Sequence, residues 1–197
     1  KTKDIREFIV DTGSKVSSGS LHNIFCYLRK FYEFLHAIDD EIPEKIPLFS
    51  YKIPRKTSIR NPITDDELNL IQKNINTSTD IGKRDMAIIE LGASTGLRAI
   101  DIVNLKLTDI DWLKGEIHIF QSKTGKSLSL PIIPKTGEYI KDYILNSRPK
   151  SECKEIFLRE KDPFTSITAV TVAYMFNKYC GKAGIKRVAF DGKGFHS

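Results

Sequence analysis

The chain has 197 residues, 40% of them hydrophobic, with 31 Lys and Arg against 25 Asp and Glu for a formal charge of +6. Its apolar fraction excludes a disordered chain, and its length is enough for one ordinary domain plus a smaller one. Cys26, Cys153 and Cys180 are too few and too scattered for a disulfide framework or a zinc site, no apolar run reaches the roughly 20 residues of a membrane helix, and the basic balance favours a polyanionic partner, nucleic acid first.

Taken in chain order, Thr2 to Val10 places Ile5, Phe8 and Ile9 at helical spacing over a short stretch. From Gly19 to Ile38 the residues Leu21, Ile24, Phe25, Leu28, Phe31, Tyr32 and Leu35 recur at three- and four-residue steps, which predicts an amphipathic helix capped by Ser18 or Ser20. Two helices bury each other poorly, so residues 1–42 read as part of a larger helical bundle. Residues 43–62 change character: Pro43, Pro47, Pro54 and Pro62 break any helix, and Lys45 to Arg60 holds five basic residues and no acidic one. This is a basic linker, readable as a solvated loop or as a strap of Lys52, Arg55, Lys56 and Arg60 along phosphates.

A second unit, 63–197, opens on Thr64-Asp65-Asp66-Glu67, a capping box followed by Leu68, Ile71 and Ile75 on one helical face. Met86 to Ala93 is apolar almost all round, as a central helix is, and Gly96 ends it. A short helix led by Arg98 follows. Glu116–Phe120 and Ser127–Leu130 alternate as strands do and form a β-hairpin with Thr124-Gly125 near its tip. Pro134–Leu145, with Tyr139, Ile140, Tyr143 and Ile144, and Thr168–Cys180, with Val172, Met175, Phe176 and Tyr179, are two further helices. The fold class is therefore mainly α with a small antiparallel β-sheet.

Three residues carry the chemistry. Arg98 stands after a glycine turn at a helix start, where a guanidinium fork can take two non-bridging oxygens of a phosphodiester; its plainer reading is a surface ion pair with Asp101 or Asp85. Lys123 lies at the hairpin tip, where an ammonium can protonate a leaving oxygen, with Lys126 the competing choice. His196 lies in the glycine-rich, basic stretch from Gly181 and can hydrogen-bond a phosphate or move a proton. Gly125-Lys126-Ser127 looks like the end of a phosphate loop, yet the position five before Gly125 is Phe120, so a nucleotide P-loop is unsupported. No His, Asp and Glu grouping has metal-ligand spacing, so no metal and no cofactor are expected.

In sequence order these pieces resemble the tyrosine recombinase family, the phage integrases. The resemblance lies in Thr95-Gly96-Leu97-Arg98 with Asp101, in Leu105-Lys106-Leu107-Thr108-Asp109-Ile110-Asp111, in Gln121–Lys126 running to Leu130-Pro131-Ile132, and in Phe195-His196-Ser197. The run Tyr27–Leu35 is similar to the last helices of that family's core-binding domain.

The resemblance implies a partial helical core-binding domain over 1–42, a linker over 43–62 and a catalytic α+β domain over 63–197. It makes Arg98 the first catalytic arginine, Lys123 the general acid, His196 the opening residue of a His-x-x-Arg box, and Asp101 a support for the arginine helix. It implies double-stranded DNA as partner, copies of the chain assembling on that DNA, no membrane, and a cytoplasmic, nucleoid-associated setting within a mobile genetic element. The implied reaction is site-specific cleavage and rejoining, as in DNA integration and recombination, through a 3′-phosphotyrosyl intermediate without cofactor. All seven tyrosines precede His196, and Tyr174 and Tyr179 sit on an apolar helical stripe, so the nucleophile and second arginine have no counterpart in the chain. The 197 residues alone are accordingly expected to bind DNA without cutting it; the alternative is a non-catalytic module that occupies recombination sites.

Overall fold

The structure is a computed structural model and describes residues 2–39, 42, 62–121, 123, 125–186 and 194–195. It divides into two compact units, Lys1–Ile59 and Arg60–Ser197.

In the first unit, α1 (Thr2–Lys15) and α2 (Ser18–Ile38) are joined through Val16 and Ser17 and pack through Ile9 and Phe25, flanked by Ile5, Leu21, Leu28 and Tyr32. The first helix outruns its apolar pattern by five residues, because its last turns lie on the solvent side and are closed by Lys15 bonding Asp11 at 2.8 Å. The cap of α2 is Ser17, rather than the expected Ser18 or Ser20: its hydroxyl accepts the Ser20 N–H at 3.2 Å, so both of those serines are already helical. Phe8, Tyr27, Phe31 and Phe34 of these helices are exposed.

The second unit is organised around α4 (Asp80–Thr95). Residues 84–91 of this helix are all buried, and a helix apolar on every side is one surrounded by the fold. Ahead of it, α3 (Asp65–Lys73) begins with the reciprocal bonds of the predicted capping box, Glu67 N–H to Thr64 Oγ1 at 3.2 Å and Thr64 N–H to Glu67 Oε2 at 3.1 Å. A cap of this kind contributes about 1 kcal/mol, and it aims fully buried Ile71 at the core. The helix α5 (Ala99–Val103) is short, and a 3₁₀ turn (Leu107–Asp109) leads into the sheet.

The sheet is antiparallel in the order β1-β2-β3, formed by Ile110–Asp111, Glu116–Phe120 and Ser127–Pro131. Pairing of Ile117 with Leu130 and of Ile119 with Leu128 puts Ile117 and Ile119 on the core face, with His118 and Phe120 outward. Its third strand, β1, consists of two residues, too few to show any alternation. Two helices complete the layer: α6 (Pro134–Asn146), which packs along α4, and α7 (Ala169–Lys182), capped by Thr168. Ile140 and Tyr143 of α6 and Val172, Met175, Phe176 and Tyr179 of α7 are buried, as their spacing predicts. Tyr174 is not: it is 73% exposed on the outer face of α7, against its expected place in the core. The reason is angular, since Tyr174 precedes the buried Met175 by one residue, a turn of about 100° around the helix. Among the described residues no helix is long and apolar enough to cross a membrane.

Candidate active site and nucleic-acid interface

Arg98 owes its position to the two residues that stop α4. Gly96 takes the left-handed conformation, φ 65°, which reverses the chain without the strain a β-carbon would bring. The Thr95 hydroxyl donates to the Leu91 carbonyl and accepts the Leu97 N–H at 3.3 Å, clamping both sides of the turn. Leu97 then drops into the core at 3% exposure and Ala99 follows at 1%. Between two buried residues, Arg98 becomes the N-cap of α5, its carbonyl accepting from Asp101 and Ile102 N–H at 2.9 and 3.0 Å.

The Arg98 side chain is 40% exposed and its Nη1 lies 4.0 Å from Oδ2 of Asp101, whose own side chain is fully buried. At that distance the carboxylate orients the guanidinium by charge, and among the described residues no hydrogen bond holds its N–H groups. Of the two partners the sequence offers, the structure brings Asp101 to Arg98. Asp85 is engaged elsewhere: its Oδ1 accepts Arg84 Nε and Nη2 at 3.0 and 2.7 Å, and its Oδ2 accepts the Tyr179 hydroxyl at 3.0 Å. Burial, with Asp85 adding to it, pushes the Tyr179 phenol well above its ordinary pKa of 10.0 and holds it neutral. This residue is therefore a buried hydrogen-bond donor that ties α7 to α4.

Lys123 is exposed in the turn of the β2–β3 hairpin, and Lys126 is exposed where the turn rejoins β3. The turn is closed by Gln121 N–H to the Lys126 carbonyl and Gly125 N–H to the Gln121 carbonyl, both 2.9 Å, so the loop extends beyond the sheet with its cations outward. His196 and the linker residues Lys52, Arg55, Lys56 and Arg60 lie outside the described residues. Phe195, which precedes His196, packs edge-on against Phe176 with ring centres 5.7 Å apart.

Other polar residues of the unit escape pattern reading because their role is set by partners distant in sequence. Arg148 spends its guanidinium on the carbonyls of Cys153, Glu155 and Ile156 at 2.6 to 3.0 Å, folding the loop after α6. Glu90, buried in α4, accepts from Gln72 Nε2 at 2.8 Å and Lys135 Nζ at 2.6 Å, and the bond to Glu90 raises the Lys135 pKa. A polar residue inside an otherwise apolar helix is the one sequence signal for Arg84, Asp85 and Glu90.

An exposed, oriented arginine, a lysine-bearing hairpin and a net positive charge each suit a polyanionic partner. The model of the phage integrase family matches residues 61–197, most of the chain, and the chain belongs to that family. Among its relatives, the putative integrase/recombinase y4rA of Sinorhizobium fredii (strain NBRC 101917 / NGR234) is 30% identical over 166 residues, covering 83% of this chain and 40% of the relative. Tyrosine recombinase XerC of Staphylococcus aureus (strain bovine RF122 / ET3-1) is 27% identical over 163 residues, covering 82% and 54%. The chain thus spans about half the length, or less, of these relatives.

Two solved structures share the fold. A lambda integrase (75–356) dimer bound to a COC′ core site matches with a TM-score of 0.76 at 20% identity, over all of this chain and 69% of that one. The XerH site-specific recombinase bound to a palindromic difH substrate, in a post-cleavage complex, matches with a TM-score of 0.76 at 15% identity, over all of this chain and 58% of that one.

Proposed function

We propose that the chain is the DNA-binding and part of the catalytic machinery of a tyrosine site-specific recombinase. The observation that carries this is the turn from Thr95 to Asp101, in which the Thr95 clamp, the Gly96 reversal and the buried Leu97 and Ala99 present one half-exposed arginine beside a buried carboxylate. In this reading Arg98 neutralises the charge that gathers on a scissile phosphate under attack, and Lys123 delivers a proton to the departing oxygen. His196 hydrogen-bonds the same phosphate or moves a proton. Asp101 holds the arginine helix and does not react. Lys126 and the linker cations Lys52, Arg55, Lys56 and Arg60 contact backbone phosphates, joining a core-binding unit over 1–42 to a catalytic unit over 63–197.

The substrate is double-stranded DNA, and copies of the chain act together on it, in the cytoplasm at the nucleoid. The 3′-phosphotyrosyl link keeps the energy of the broken bond for rejoining, so the chemistry runs without a cofactor. The 197 residues alone bind DNA and do not cut it. In the protein made from the complete gene, a nicked duplex bearing the target site should accumulate a covalent protein–DNA adduct, and Arg98→Ala should abolish it while duplex binding persists. Duplex binding with no adduct under any condition would leave the non-catalytic module as the function, and an adduct formed by the 197 residues alone would contradict the division of the active site.

A further inference from the structure

Beside the first turn of α7 lies an open basin of about 530 Å³ whose floor and walls include Arg84, Arg159, Lys161, Thr168 and Thr171. Arg84 is the floor. Three of its five N–H groups are spent on Asp85 and the Leu158 carbonyl, so its guanidinium is fixed before any ligand arrives, although its side chain is 11% exposed. Arg159 and Lys161 stand exposed on the wall and form no ion pair among the described residues. Against these three cations stand Glu160 on the wall and Asp85 behind Arg84, which leaves the basin net positive. The hydroxyls of Thr168 and Thr171, 3.0 Å apart, add two small polar groups. Arginine, lysine and threonine hydroxyls together are the side chains that contact nucleic-acid phosphates.

The basin is also coupled to the arginine site. Ser166, on its wall, donates its hydroxyl to the Val103 carbonyl at 2.8 Å, and Val103 ends the helix that Arg98 begins. Arg84 lies eleven residues before Thr95, where α4 ends just ahead of Arg98, about 16.5 Å of helix at 1.5 Å per residue, or about five steps of 3.4 Å along one DNA strand. Its wide mouth suits a polymer passing across it better than a small molecule enclosed by it.

We propose that this basin is a second phosphate site, which takes a backbone phosphodiester of the same duplex a few nucleotides from the phosphate under Arg98 and so sets the register of the DNA. The proposal rests on reading the chain as a DNA-binding recombinase. It is tested with the 197-residue chain, its R159Q/K161Q variant and a K73Q/K141Q variant that removes the same charge elsewhere. Duplex affinity is measured by fluorescence anisotropy across a salt series, and the amide resonances of residues 168–171 are followed by NMR during titration with inorganic phosphate and then with duplex.

Losing two phosphate contacts should lower the slope of log affinity against log salt by about 1.8 in R159Q/K161Q, with the control variant unchanged. Duplex should displace any inorganic phosphate from the basin. Equal slopes in wild type and R159Q/K161Q would overturn the proposal while leaving the recombinase reading intact. Inorganic phosphate that saturates the basin and is not displaced by bound duplex would overturn it in favour of a small-anion site. Failure of the wild-type chain to bind duplex at all would remove the recombinase reading, and this site with it.

Discussion

Gly92 and Phe195 compete for one volume: a β-carbon on Gly92 would stand 2.5 Å from the ring ζ-carbon of Phe195 and 3.2 Å from both ε-carbons. Gly92 lies within α4, where the backbone has ordinary helical geometry and the absence of a side chain is what seats the ring. Phe176 closes the other side of that seat. A glycine whose backbone shows no need for it is thus explained by an aromatic residue 103 positions later in the chain.

Replacing glycine by alanine inside a helix ordinarily stabilises by about 1 kcal/mol. Gly92→Ala should fail to show that gain, leaving the melting temperature unchanged or lower, because Phe195 must leave its seat. In the background of Phe195→Ala the same substitution should recover the full gain. Thermal denaturation of the two single variants and the double variant checks this, and additive effects would mean the ring does not occupy the seat in solution.

The buried trio of Arg84, Asp85 and Tyr179 predicts a graded loss of stability. Asp85→Ala leaves the Arg84 guanidinium buried with only the Leu158 carbonyl as partner, and breaking a buried pair from one side costs about 3 to 5 kcal/mol. Tyr179→Phe removes only the hydroxyl donated to Asp85, a charged-acceptor bond worth about 1.5 to 3 kcal/mol. Urea denaturation should rank wild type above Tyr179→Phe above Asp85→Ala, and a neutral Asp85→Ala would show that the pair adds nothing to stability.

The unequal legibility of this chain follows from where each signal resides. The helices α3, α6 and α7 and the hairpin are readable because their evidence is local: a capping box at Thr64, stripes at three- and four-residue steps, and alternation about Gly125. The start of α4 is hidden because Lys83, Arg84 and Asp85 look like a surface turn, and from far along the chain Asp142 pairs with Lys83 while Leu158 and Tyr179 complete the bonding that Arg84 and Asp85 begin between themselves. Tyr174 and Tyr179 share a helix and an apolar neighbourhood in sequence, yet five residues of helix turn them to different faces. At the arginine turn the motif named Arg98 and Asp101, while the clamp by Thr95 on Leu91 and Leu97 became visible only in three dimensions.

Arg98 and Lys123 should separate function from stability. Arg98 makes no side-chain capping bond and Lys123 is exposed, so alanine at either position should change unfolding free energy by no more than about 0.5 kcal/mol. On the recombinase reading, covalent adduct formation in the protein made from the complete gene should fall by orders of magnitude in both. Asp101→Ala should differ by costing stability as well, since its carboxylate is buried against the arginine helix. Wild-type adduct formation by Arg98→Ala would remove Arg98 from the active site.

The stability of the second unit should fall in alkali, and Tyr179 sets part of that fall. Its folded pKa is raised above the ordinary 10.0, chiefly by burial and then by the charge and hydrogen bond of Asp85. A raised pKa means the folded state keeps a proton that the unfolded chain gives up, so the contribution is complete below about pH 10 and is lost progressively as pH rises toward the folded value. Tyr143, also raised by burial, and Lys135, raised by its bond to Glu90, act in the same direction. Tyr179→Phe has no proton to lose at that position. Less stable than wild type near neutrality, it should lose less stability between about pH 9 and pH 11, so that the two curves of unfolding free energy against pH converge. Parallel curves across that range would mean that the Tyr179 hydroxyl titrates alike in the folded and unfolded chain, and so is not held by Asp85.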